Sequence, residues 1–188
     1  MNDLEKTAKR HHRARAYREY VRGMAEFADL YEPTNARILD CLTMAHLNER
    51  NAASGVLSRK ELEREDPQAA LPGELSDQTL CQYFANAGVL YSDAAIQYVL
   101  KADLRRAFKY FRRAAKICTN AAKLQPVREG DSPIFVEQKS GQSPTYAGRD
   151  LSEAARWHAE RATMVRQELA RRSLRRKRLS LGLLGHVK

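Results

Sequence analysis

The 188-residue chain has little cysteine and lacks long apolar runs and familiar catalytic signatures. Cys41, Cys81 and Cys118 stand far apart, with no CxxC and no neighbouring histidines. That spacing excludes a disulfide framework and a structural zinc site. It fits small buried residues in a reducing cytoplasm. The N-terminal stretch MNDLEKTAKRHHRARAYREY has no apolar core for a signal peptide, and no segment approaches the length that crosses a bilayer. The expectation is a cytoplasmic protein, nucleoid-associated if bacterial, with no membrane partner. HExxH, a glycine-rich phosphate loop and a nucleophile elbow are all missing. His46 and His158 are isolated, and His11 and His12 sit among cations. The acidic pairs Glu61/Glu65 and Glu63/Asp66 share one highly charged segment. No enzyme activity, cofactor or metal is expected from these residues. No internal repeat is visible.

Acidic residues are also in deficit. Lys plus Arg number 33 against 23 Asp plus Glu, which gives a net charge of +10. The pI is near 9.7 and the mean hydropathy −0.62. Such a balance attracts polyanions, of which nucleic acid is the commonest. The charge is clustered, and the clusters carry the functional argument.

Apolar spacing organises the chain into helices. Tyr17, Tyr20, Val21, Met24, Phe27, Ala28 and Tyr31 recur every three or four residues, so residues 3–31 read as one amphipathic helix behind a basic run. A helix over 34–50 is expected to bury Ile38, Cys41 or Leu42, Ala45 and Leu47, with Gly55 ending the stretch. Ser58 and Glu61 have the spacing of a capping box for a short helix at 58–66. Pro67 and Pro72 then mark a linker, and Ser76 caps a helix at 76–87 whose core stripe is Leu80, Tyr83, Phe84 and Ala87. A longer helix at 102–124 carries Leu104, Phe108, Phe111, Ala115, Cys118 and Ala122. Residues 125–150 hold three Pro, three Gly and three Ser and read as a linker, with one short strand at 134–136. A last helix begins at Asp150 or Ser152.

Residues 55–101 set the expected fold. Val56-Leu57 forms a short apolar run before the Ser58 start, and the Ser76 helix follows. After Gly88 come two β-prone runs, Val89-Leu90-Tyr91 and Ile96-Gln97-Tyr98-Val99-Leu100, around the turn-forming Ser92-Asp93-Ala94-Ala95. Helix, helix, hairpin is the order of a winged helix-turn-helix, and this segment resembles that superfamily. The resemblance implies that the second helix enters the DNA major groove. The expected fold class is mainly α: a winged-helix-like core with a small β-hairpin and basic helical arms at both ends. Its parts are the N-terminal helix (1–32), the core with the long basic helix (33–124), the linker (125–150) and the C-terminal helix with its basic tail (151–188).

Three groups of side chains point to nucleic acid. Gln78, Gln82 and Asn86 share one helix face, with Thr79 beside them, and such amides pair bidentately with adenine. They are the candidate base contacts. Arg105, Lys109, Arg112 and Lys116 form one stripe at helical spacing, flanked by Arg106 and Arg113, with Asp103 the lone acid in that helix. Six cations without partners repel one another, which favours phosphate contact. Arg171, Arg172, Arg175, Arg176, Lys177 and Arg178 crowd the tail and are the third group.

The preferred reading is duplex DNA binding by a small transcriptional regulator or an accessory subunit of a DNA-processing complex. One alternative is a non-enzymatic RNA- or single-strand-binding ribonucleoprotein subunit that stacks bases on Tyr17, Tyr20, Tyr110 or Trp157. Another is an adaptor that docks a protein partner through its third helix. A homodimer through the terminal helices is also open.

Overall fold

The computed structural model describes residues 15, 17–22, 35–124 and 151–184, with side chains as far as 175. Four long helices account for most of this: α1 (Asn35–Glu65), α2 (Asp77–Leu100), α3 (Leu104–Leu124) and α4 (Leu151–Leu184). A 3₁₀ turn at Gly73–Leu75 precedes α2, and residues 17–22 are helical. Among the described residues there is no strand.

The expected winged helix is therefore overturned. Residues 89–100 continue α2 without a break, and 55–57 lie inside α1. The physical reason is visible in the spacing. Phe84, Gly88, Tyr91, Ala95 and Val99 follow one another at three or four residues and are all buried. Burying that stripe against two neighbouring helices outweighs the weak strand preference of Val, Ile and Tyr. Ser92-Asp93-Ala94-Ala95 contains no Gly or Pro to halt a helix. Gly55 likewise does not end α1. It admits a close neighbour, because a Cβ there would collide with Leu80 Cδ2. Ser58 and Glu61 lie within the helix, so the capping box has no terminus to cap.

Other expectations hold. Ser76 is the N-cap of α2 and its side chain accepts from the Thr79 N–H at 3.2 Å. Pro67 and Pro72 occupy the connection after α1. The basic helix starts at Leu104, two residues later than 102, because Lys101-Ala102-Asp103 makes the turn. Ala102 has a φ of 59° there, and Asp103 caps α3 by accepting from the Arg106 N–H. The C-terminal helix begins at Leu151. The linker and the strand at 134–136 lie outside the described residues, as does the N-terminal helix apart from residues 15 and 17–22.

Each long helix packs on the one before it: α1 on α2, α2 on α3, α3 on α4. The pairs run antiparallel. Asn35 meets Lys101, His46 meets Tyr91, and Arg59 meets Asp77 along α1 and α2. The three-residue α2–α3 turn permits no other arrangement. One core layer joins Ala45, Ala52, Cys81, Phe84, Tyr91, Ile117, Cys118 and Leu151. A second joins Tyr17 and Tyr20 to Ala95, Val99, Phe111, Ala162 and Val165, so the N-terminal helical residues close that end. Ile38 and Ala45 are buried as expected, whereas Leu47 is half exposed.

Gly55→Ala tests the closeness of α1 and α2. Helix propensity favours Ala by about 1 kcal/mol. The added methyl nevertheless has to displace Leu80, which is 1% exposed. A net loss of about 1–2 kcal/mol is expected from overpacking. In a double-mutant cycle measured by urea unfolding, Leu80→Ala should cost less in the Gly55→Ala protein than in the native one.

Candidate polyanion interface

The sequence of α3 divides its cations between two faces, because its apolar stripe (Leu104, Ala107, Phe111, Ala114, Cys118, Ala121) is committed to the core. On one side Arg113 donates to Glu49 Oε2 from Nη2 at 2.7 Å and Nε at 3.0 Å. The same carboxylate oxygen accepts from the Tyr91 hydroxyl at 2.7 Å. That hydroxyl also lies 2.7 Å from His46 Nδ1. With the phenolic proton given to Glu49, the oxygen is left to accept from an imidazole N–H. Burial, followed by the Glu49 carboxylate, pushes the Tyr91 phenol far up. Tyr91, Tyr110 and Tyr98 stack at 5.9 and 5.6 Å between centroids, and Arg113, Lys109 and Arg106 sit over these three rings in turn. Arg106 also lies 3.4 Å from Asp103.

The other face is different. Arg105, Lys109, Arg112 and Lys116 are exposed, and among the described residues none of them has a carboxylate partner. Beside them, α3 and α4 leave a furrow made of two adjoining hollows of about 510 and 710 Å³. Lys116 and Lys123 from α3 and Arg156 from α4 line the first. Arg112 and Arg166 line the second. Among the described residues no carboxylate lines either hollow. Glu153 lies 3.7 Å from Arg156, on the far side of it. Helical spacing explains this segregation. Ser152, Ala159, Thr163, Arg166 and Ala170 repeat every three to seven residues on one face of α4, while Glu153 and Glu160 fall about a quarter turn or more away.

The candidate base contacts are placed otherwise. Gln78 is exposed near the start of α2, but Thr79 is built into the cap, with its hydroxyl donating to the Gly73 carbonyl at 2.8 Å. Gln82 and Asn86 are half-buried and bonded to each other at 3.0 Å. All four lie on α2, a different helix from the cation rows. The tail cations also divide. Arg171 grips Glu168 through two bonds of 2.6 and 2.7 Å, and Arg172 adds a third at 2.9 Å. Arg175 is exposed. The side chains of Arg176, Lys177 and Arg178 lie outside the described residues, although the helix carrying them continues to Leu184.

The row read from the sequence ends at Lys116, although Lys123 lies seven residues on and continues it on the same helix face. Arg156 and Arg166 belong to no cation row that a helical period reveals. Only the antiparallel α3–α4 pairing brings them to the furrow. The same pairing buries His158, whose imidazole is pushed down to about 3 by burial and by Arg161. Burial raises the Cys81 thiol to about 11, and its Sγ donates to the Ala121 carbonyl at 3.3 Å. Among the described residues no three His, Cys, Asp or Glu side chains are grouped to hold a metal ion.

Glu168 gives a pH prediction. Its side chain is 2% exposed. Burial pushes its pKa up, but the hydrogen bonds and charge of Arg171 and Arg172 outweigh that, and the net shift is downward. A carboxyl depressed in the folded state stabilises above its unfolded value, near 4.3. That stability is lost as pH falls from there through the lower folded value. Glu168→Gln should cost about 1–3 kcal/mol at pH 7, the range for charge-assisted bonds. The variant should also show a shallower loss of stability below about pH 4.3. Thermal unfolding from pH 7 to 2 measures both.

No family model, no curated protein and no solved structure matches this chain.

Proposed function

We propose that this protein binds the phosphate backbone of duplex nucleic acid, in the first instance DNA, along the exposed face of α3 and the facing rim of α4. The observation that carries the reading is the exposed row Arg105, Lys109, Arg112 and Lys116, which has no carboxylate partner among the described residues and is continued by Lys123 and faced by Arg166. Like charges at successive helical turns cost the free protein stability. A polyanion repays that cost by releasing its own condensed counterions. Arg105 to Lys123 spans about 27 Å of helix. A duplex presents many phosphates over such a length.

Two features favour duplex over single strands. Single-strand binding without sequence preference draws on exposed aromatic faces. Here Tyr17 and Tyr20 are 7% and 8% exposed, and Tyr110 and Trp157 are engaged with neighbouring rings and cations. The four row cations, by contrast, are exposed, although Lys109 and Arg112 also lie over the Tyr110 and Phe108 rings. Base reading from α2 receives less support, because Gln82 and Asn86 are half-buried and bonded to one another and Thr79 is held in the cap. The binding therefore fits an accessory or architectural role with weak sequence preference better than a site-specific regulator.

Replacing Arg105, Lys109, Arg112 and Lys116 together by Gln tests this. Each phosphate left without its cation should lower the slope of log K against log salt by about 0.9 on duplex DNA. Affinity should fall equally for unrelated sequences. The unbound variant should unfold no earlier than the native protein, since the four side chains take no part in the core. A slope identical to that of the native protein would place the backbone elsewhere.

A further inference from the structure

The α3–α4 furrow has a property that phosphate binding does not use. Between its cations the lining is mainly apolar: six alanines, Ala115 and Ala122 from α3 and Ala155, Ala159, Ala162 and Ala170 from α4, with Phe108, are interrupted by three hydroxyl side chains and Gln167. Phosphate oxygens gain nothing from such a lining and meet only the rims. An apolar floor between two cationic rims matches a ligand whose apolar stripe is flanked by carboxylates.

We propose that this furrow docks an acidic amphipathic helix of a partner protein. The lining runs along α4 from Ser152 to Ala170. That is about 27 Å, the length of an 18-residue helix of five turns. Small floor residues allow a third helix to approach at the short end of the usual 8–10 Å axial separation. Apolar side chains at i, i+3, i+4 and i+7 of the partner enter the floor, as in other helix-in-groove recognition. Glu or Asp at the flanking positions then meets Arg112, Lys116 and Lys123 on one rim and Arg156 and Arg166 on the other.

Charge selects the class of occupant. A second copy of this chain presenting the same face would set cation against cation. A neutral helix would leave Arg112, Lys116, Lys123 and Arg166 without a carboxylate and still repelling; Arg156 has Glu153 at 3.7 Å. An acidic flank relieves that repulsion while the floor excludes water, which strengthens each pair. The inference does not rest on nucleic-acid binding. Arg112, Lys116, Lys123 and Arg166 serve both ligands, so the two compete wherever both are present.

The test uses the full chain and a labelled 18-residue peptide with Leu on one helical stripe and Glu at the flanking positions. Its control is a scrambled peptide of the same composition, so total charge is equal and only the pattern differs. A 16-base-pair duplex is titrated in parallel. The patterned peptide should bind at least tenfold more tightly than the scrambled one. Ala159→Phe fills the floor at an exposed position and should weaken the patterned peptide at least tenfold while leaving the duplex salt slope unchanged. Ala159→Ser, which keeps the floor open, should bind the peptide like the native protein. Circular dichroism confirms that both variants fold. Equal binding of the two peptides would reduce the site to bulk charge and overturn the proposal, as would undiminished peptide binding by Ala159→Phe. Peptide binding without duplex binding would support this inference and defeat the nucleic-acid reading alone.

Discussion

Close approach of helices is the constraint on which the rest of this structure depends. The contact surfaces of α1, α2 and α3 are built largely from small residues, among them Ala45, Ala52, Ala85, Ala95, Ala114 and Ala121, all fully buried. Alanine loses no rotamer freedom on burial, so such surfaces cost little entropy. They also leave no slack. At Gly55 even a methyl group would meet Leu80. The few large buried side chains, chiefly Tyr91, Phe111 and Leu80, set the register between neighbouring helices. Tyr91 does so with its hydroxyl as well as its ring, since Glu49 and His46 of α1 and Arg113 of α3 converge on it.

The same small residues shape the outer surface. Where α3 meets α4, alanines face outward as well as inward, and the furrow between the two helices is consequently open and mainly apolar between its cations. Cations are left on its shoulders because the core stripe takes the opposite side of each helix. Electrostatics therefore sorts by face. Arg113, Arg171 and Arg172 each have a carboxylate, in the last two cases the nearly inaccessible Glu168. Arg105, Lys109, Arg112 and Lys116 have no carboxylate partner among the described residues. Paired cations hold the fold together, and unpaired ones are available to a ligand.

Much of this is legible in the chain, and the failures have a common cause. The basic row of α3 reads correctly because it follows a helical period, but its apolar stripe is misplaced in part: Phe108, Ala115 and Ala122 are only half-buried, and the smaller Ala107, Ala114 and Ala121, one position earlier, take the core. Ser76 reads correctly because capping is a local hydrogen bond. Residues 89–100 mislead because Val, Ile and Tyr are strand formers in isolation, whereas the helical spacing of Phe84, Gly88, Tyr91, Ala95 and Val99 decides the outcome once neighbours cover it. Gly55 and Ser58 mislead for a related reason: both are local signals for a helix end, and a tertiary contact keeps the helix going. Tyr17 and Tyr20, candidates for base stacking by sequence, are core residues.

By itself the sequence determined the helical character of most of the chain, its excess of positive charge and the alignment of four cations along α3. These follow from periods of three to four residues, which act within one helix. Tertiary structure alone decided which helices are neighbours, and so which cations find a carboxylate. It also decided that Arg156 and Arg166 share one furrow with the α3 row. Residues dozens of positions apart meet there only because antiparallel packing of small side chains brings α3 and α4 together, and no local pattern encodes that pairing.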